Sequence, residues 1–150
     1  MSLEEQVNAD IKKAMLAKDP KALEALRAVK ASLLLVKTGK DSKDGEISKD
    51  AEISLLQRLV KQRKESAEIY LNQERQELAD VELFQVEVIQ KYLPEQISEE
   101  EVGRIIEKII QETGASSMKD MGKVMALASK KLAGKAESKQ IASIVKSKLT

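Results

Sequence analysis

Apolar residues recur every three or four positions along most of the chain, the spacing of amphipathic helices. Leu3, Val7, Ile11, Ala14 and Met15 mark the inner face of a first helix over 3–18. Asp19-Pro20 closes that helix and opens the next. Asp19 suits the N-cap, and Pro20 suits the first helical position, where a missing N–H costs nothing. The second helix runs to Lys37 with Leu23, Leu26, Val29 and Leu33 inward. A polar loop follows over 38–46, where Gly39 fits a helix end and Asp44-Gly45 a turn. Ser48 then caps a long third helix to Leu71, with Ile53, Leu56, Val60, Ala67 and Leu71 inward. Arg58, Lys61, Arg63 and Lys64 make its other face basic. A fourth helix over 74–91 turns Leu78, Val81, Val88 and Ile89 inward.

Tyr92-Leu93-Pro94 ends this series, because proline biases Leu93 out of helical geometry. A domain boundary is expected here, giving an N-terminal helical domain over 1–93 and a small three-helix domain over 94–150. Ser98 and Glu101 have the spacing of a capping box, and Glu99, Glu100 and Glu101 complement the positive end of the helix dipole. Val102, Ile105, Ile106, Ile109 and Ile110 line this fifth helix, and Gly114 suits the position just after it. Ser116 or Ser117 caps a sixth helix to Leu132, with Met121, Val124, Met125 and Ala128 inward. With Met118 the methionines Met121 and Met125 make a set that reads as core, the alternative being an adaptable binding surface. The last helix, over 137–149, buries Ile141, Ile144, Val145 and Leu149.

Composition supports the all-α class. Aromatics are 2% of the chain, so its cores must be built from Leu, Ile, Val, Ala and Met. The absence of both cysteine and histidine excludes disulfides, thiolate nucleophiles and histidine bases. A zinc site would have to use carboxylates alone. The chain also lacks a glycine-rich nucleotide loop. No catalytic residue, metal or cofactor is expected from this inventory. No run approaches the ~20 apolar residues of a membrane span, and the acidic start lacks a signal-like apolar run, so no membrane association and a cytoplasmic location are expected.

The overall charge of +1 conceals an asymmetry. Residues 1–94 carry −1, residues 95–112 carry −4, and residues 113–150 carry +6. A basic end on a nearly neutral chain points to a partner rather than to a fold.

Three runs carry a recognisable pattern: Tyr92-Leu-Pro-Glu-Gln-Ile-Ser-Glu-Glu-Glu101, Gly114-Ala-Ser-Ser-Met-Lys-Asp-Met-Gly-Lys-Val-Met125 and Gly134-Lys-Ala136. Upstream, Val60-Lys-Gln-Arg-Lys-Glu-Ser66 also fits. Together they resemble the YqeY family, also called GatB/YqeY domain proteins, over essentially the whole chain. The last third also resembles the tail domain of the B subunit of the glutamyl/aspartyl-tRNA amidotransferase. The resemblance implies two helical parts, the second of a kind that helps hold tRNA in the larger enzyme. Family labels imply carbon–nitrogen ligase activity with glutamine as amide donor, but this chain has no room for the larger enzyme's catalytic cradle or its glutaminase subunit. One departure concerns the last helix: the family pattern Gly-Lys-Ala-Asp-Gly stands here as Gly134-Lys-Ala-Glu-Ser138, with a poorer capping residue.

The candidate nucleic-acid contacts are Lys119, Lys123, Lys130, Lys131, Lys135, Lys139 and Lys146, with Gly122 and Gly134. Lysine suits phosphate contact without base readout. The helix starts near Ser116 and Glu137 could add N–H donors. The alternative is an ordinary solvated lysine face. Gly122 inside a helix costs roughly 1 kcal/mol against alanine, so either close helix packing or close approach of an RNA backbone should offset it. Gly134 reads most simply as a helix cap, and Asp120 and Lys123 as a surface pair. The expected partner is tRNA or another RNA. The alternative is a protein-interaction module docking on a synthetase or amidotransferase-like protein.

Overall fold

The computed structural model describes residues 2–39 and 46–150, so the turn expected at Asp44-Gly45 lies outside the described residues. Among those described, the regular structure consists of seven α-helices and one 3₁₀ turn, with no strand. The fold is all-α. The chain divides into two compact units, residues 1–93 and 94–150.

The first unit contains α1 (Leu3–Leu16), α2 (Pro20–Lys37), α3 (Lys49–Asn72) and α4 (Gln76–Gln90). Local chemistry sets their ends. Ser2, Asp19 and Ser48 each accept a backbone N–H three residues on, from Glu5, Ala22 and Ala51, at 3.1–3.2 Å. Helix α1 stops two residues before the expected Lys18, because Lys18 takes a left-handed φ of 53° and the Asp19 N–H turns back to the Ala14 carbonyl. Glu74 does the same with φ 60°, which delays α4 to Gln76. The Arg75 N–H then reaches the Tyr70 carbonyl at 2.8 Å, so α3 and α4 form a tight antiparallel hairpin.

Leu3, Val7, Val29, Leu33, Leu56, Val60 and Ile89 meet in the main core of this unit. Leu55 and Leu59 are buried with them, beyond the face expected for α3. A smaller cluster joins Ala14, Ala25, Leu26 and Val88. Lys37 pairs with Glu4 at 3.1 Å and ties the end of α2 to the start of α1. The Tyr92 hydroxyl donates to the Asp10 carboxylate and anchors the chain after α4 to α1. Four residues expected inside are outside: Met15, Leu71, Leu78 and Val81. Their spacing is helical, but each keeps a third or more of its surface exposed, from 36% at Leu78 to 58% at Met15.

The second unit contains α5 (Glu99–Thr113), the 3₁₀ turn Met118–Asp120, α6 (Met121–Lys131) and α7 (Ser138–Leu149). Val102, Ile106, Val124, Ala128, Leu132, Ile141 and Val145 form its core. Each of these side chains is almost fully buried, and burying a leucine, isoleucine or valine contributes about 1.5–3 kcal/mol. Ser98 accepts from the Glu101 N–H at 3.2 Å, as a capping residue should. The Glu101 carboxylate lies 3.7 Å from Arg104. Gly114 ends α5 in the left-handed conformation with φ 69°, a geometry that glycine adopts without a side-chain clash. Glu137 stands at the N-cap of α7 without a side-chain capping bond, consistent with its poorer capping chemistry. The segment before α5 is strapped to the turn before α7: the Ile97 N–H donates to the Lys135 carbonyl at 3.1 Å, and the Gln96 side-chain amide donates to the Gly134 carbonyl.

Candidate nucleic-acid interface

The seven candidate lysines are all exposed and are carried by several different elements of the unit. On α6, Val124, Ala128 and Leu132 face the core. Lys123 and Lys130 lie two turns apart, about 10 Å along the axis, on the side that faces away from it. Leu127 lies on the flank between them and remains 43% exposed. On α7, Lys139 and Lys146 repeat this seven-residue spacing on the face away from Ile141 and Val145. Each outer helix therefore presents two ammonium groups at about the same separation.

Lys131 and Lys135 occupy a different place. They line a shallow groove of about 430 Å³ with Ser98, Glu101, Ile105 and Leu132. Glu95 also lines it, so two carboxylates stand beside the two ammonium groups. Lys131 also lines a second shallow groove of about 330 Å³ with Lys130, Leu127, Ile109 and Glu112, so Lys130 too has a carboxylate nearby. Lys119 sits in the 3₁₀ turn before α6.

The helix starts differ from expectation. The Ser116 N–H donates to the Asp120 carboxylate at 3.1 Å, and the Lys119 N–H to the Ser117 hydroxyl at 3.4 Å. Asp120 thus places a negative charge where an incoming phosphate would sit. Its carboxylate serves this turn rather than the expected pairing with Lys123.

The two candidate glycines separate. Gly134 is buried, has φ 76°, and its carbonyl accepts from Gln96. It shapes the turn that presents Lys135 and offers no contact surface of its own. Nor is it the cap itself, since Leu132 is the capping residue of α6. Gly122 is exposed in the first turn of α6, and a methyl group added there would meet no atom within 4 Å. Close helix packing therefore does not explain this glycine. The methionines divide as well: Met121 and Met125 pack against the core, whereas Met118 is largely exposed.

On α3, the expected basic face loses one member. The Arg63 guanidinium donates to the Gln85 side-chain oxygen at 2.8 Å and to the Leu59 carbonyl at 3.2 Å. Gln85 is a buried polar residue of α4, so Arg63 latches the hairpin. Arg58, Lys61 and Lys64 are exposed. Among the described residues, no group of three or more carboxylates could hold a metal ion, and no helix is long and apolar enough to cross a membrane.

Two residues outside the expected set also bear on this face, Lys148 and Leu127. Lys148 lies 3.8 Å from Glu107 and joins α7 to α5, so its charge is partly used within the fold. Only the placement of α5 reveals that pairing. Leu127 was legible as an apolar residue off the Val124–Ala128 stripe.

A family model described as Yqey-like protein matches residues 4–149, nearly the full length. The chain belongs to the Yqey-like family. It is also 30% identical over 126 residues to a fungal relative from Pyrenophora tritici-repentis (strain Pt-1C-BFP), the altered inheritance of mitochondria protein 41, mitochondrial. That match spans 80% of this chain and 67% of the relative. Two of the runs that resemble the Yqey-like pattern now have structural roles. Ser98 within Tyr92–Glu101 caps α5, and the Gly114–Met125 run forms the left-handed end of α5, the 3₁₀ turn and the first turn of α6.

Proposed function

We propose that this Yqey-like protein is a noncatalytic accessory factor that binds tRNA or a related RNA through the outer faces of α6 and α7. The observation that carries the reading is the pair of exposed lysine stripes, Lys123 with Lys130 and Lys139 with Lys146, beside the bare backbone at Gly122. Ammonium groups about 10 Å apart along a helix can meet successive backbone phosphates without reading bases. The resemblance of this unit to the tail of the amidotransferase B subunit supports tRNA as the RNA. A cytoplasmic setting goes with the reading. The absence of histidine and cysteine from the chain weighs against a carbon–nitrogen ligase activity of its own.

The test is filter binding of unfractionated tRNA across a salt series. Four phosphate contacts give a slope of log affinity against log salt of roughly −3. Absence of binding at 50 mM salt, a condition that favours phosphate contacts, would refute the reading. Exposed Leu127 among lysines favours a second reading, in which the same face docks on a synthetase or amidotransferase-like protein. In that case a partner protein co-purifies after nuclease treatment and mixed tRNA does not bind.

A further inference from the structure

The hairpin of α3 and α4 carries its apolar seam farther than the fold covers it. In α3 the seam runs through Val60, Ala67 and Leu71; in α4 it runs through Leu78, Gln85 and Ile89, with Val81 and Val88 beside it. Near Val60 and Ile89 the seam is buried under α1 and α2, where Leu3, Val7, Val29 and Leu33 complete the core. Between residues 64 and 84 only Ala67 and Ala79 are buried. These small side chains let the two helices approach closely. The seam then emerges at Leu71, Leu78 and Val81, which are 45%, 36% and 45% exposed.

The tight turn through Arg75 keeps Leu71 and Leu78 within about two helical turns of the hairpin tip. The stretch that carries them is acidic. Residues 65–83 carry six acidic side chains and one arginine, and Glu65, Glu68, Glu74, Glu77 and Asp80 are exposed. An apolar patch with a charged rim is the form of a docking surface. The net charge disfavours pairing of two such arms, since like charges would meet across the contact.

We infer that the tip of this arm is a docking site for a cationic amphipathic helix of another protein. Continuity decides the helical form: lower down, the same seam is already covered by helix-on-helix packing. Charge complementarity decides the sign, with the partner's lysines or arginines set against the glutamates and its apolar stripe over Leu71, Leu78 and Val81. This site is independent of the lysine stripes, so its failure leaves the RNA reading untouched.

The experiment titrates the isotope-labelled full chain with a synthetic lysine–leucine peptide whose leucines form one helical stripe. A second peptide of identical composition has the stripe scrambled. Chemical-shift changes confined to the arm tip, at residues 68–83, are expected with the striped peptide. Binding should weaken about tenfold or more in Leu78→Asp/Val81→Asp and in Glu68→Lys/Glu77→Lys, substitutions at accessible positions outside the cores. Helix content by circular dichroism should be unchanged in both variants. Equal binding of the two peptides would reduce the site to charge alone and overturn the proposal. So would absence of binding, shifts elsewhere in the chain, or self-association of the free protein that is abolished by Leu78→Asp/Val81→Asp.

Discussion

Gly122 distinguishes a cost of folding from a cost accepted for contact. Nothing lies near enough to require glycine there, and alanine is the better helix former. Gly122→Ala is expected to raise stability by about 0.5 kcal/mol or more, read as a higher urea midpoint. If an RNA backbone approaches this turn, the same variant should bind tRNA more weakly than the parent. Tyr92 makes a second residue-scale prediction. Burial first, then the bond to Asp10 and its charge, push the phenol above its ordinary value of about 10. The unfolded chain therefore loses this proton before the folded one does, so the stabilisation is complete below about pH 10 and fades as pH rises further. Tyr92→Phe should cost about 1–2 kcal/mol at pH 8, and the gap from the parent should shrink at pH 10.5. Equal gaps at the two pH values would contradict this linkage.

Among the helices, local chemistry was the most legible. Ser48, Ser98, Asp19-Pro20 and Gly114 announce their ends because each satisfies, or lacks, a particular backbone group. Inward faces were legible where another helix lies opposite. Leu71, Leu78 and Val81 show the limit: periodicity marks a stripe but does not say where its cover stops. Arg63 shows the same limit for charge, since its role depends on Gln85 on the neighbouring helix. The lysine faces were legible by spacing, whereas the partner of the Gly134 carbonyl, Gln96, lies thirty-eight residues away. Charge reversal of Lys123 and Lys130 to glutamate should lower tRNA affinity by about tenfold or more at low salt. The equivalent reversal of Lys139 and Lys146 tests the second stripe, and helix content should survive both changes. Unchanged affinity in both variants would remove these faces from the interface.

Across the whole molecule, each unit has its own apolar clusters, and none of these clusters draws residues from both. The order of most helices followed from sequence because proline, glycine or capping residues separate them; the α3–α4 turn through Glu74 and Arg75 has none of these. The segment 94–150, produced alone, is expected to retain its helices and melt cooperatively, with modest stability for so small a core. A helical circular dichroism spectrum with a sigmoidal melt would meet that expectation; a featureless melt would contradict it. The strap from Ile97 to Lys135 gives such a fragment a built-in clock. Ile97 lies outside any helix, where amide protons ordinarily exchange with solvent quickly. Its bond closes a long loop, so its proton should exchange only when the turn before α7 swings away. Deuterium uptake at that single amide would then time the opening of the unit that carries the lysine stripes.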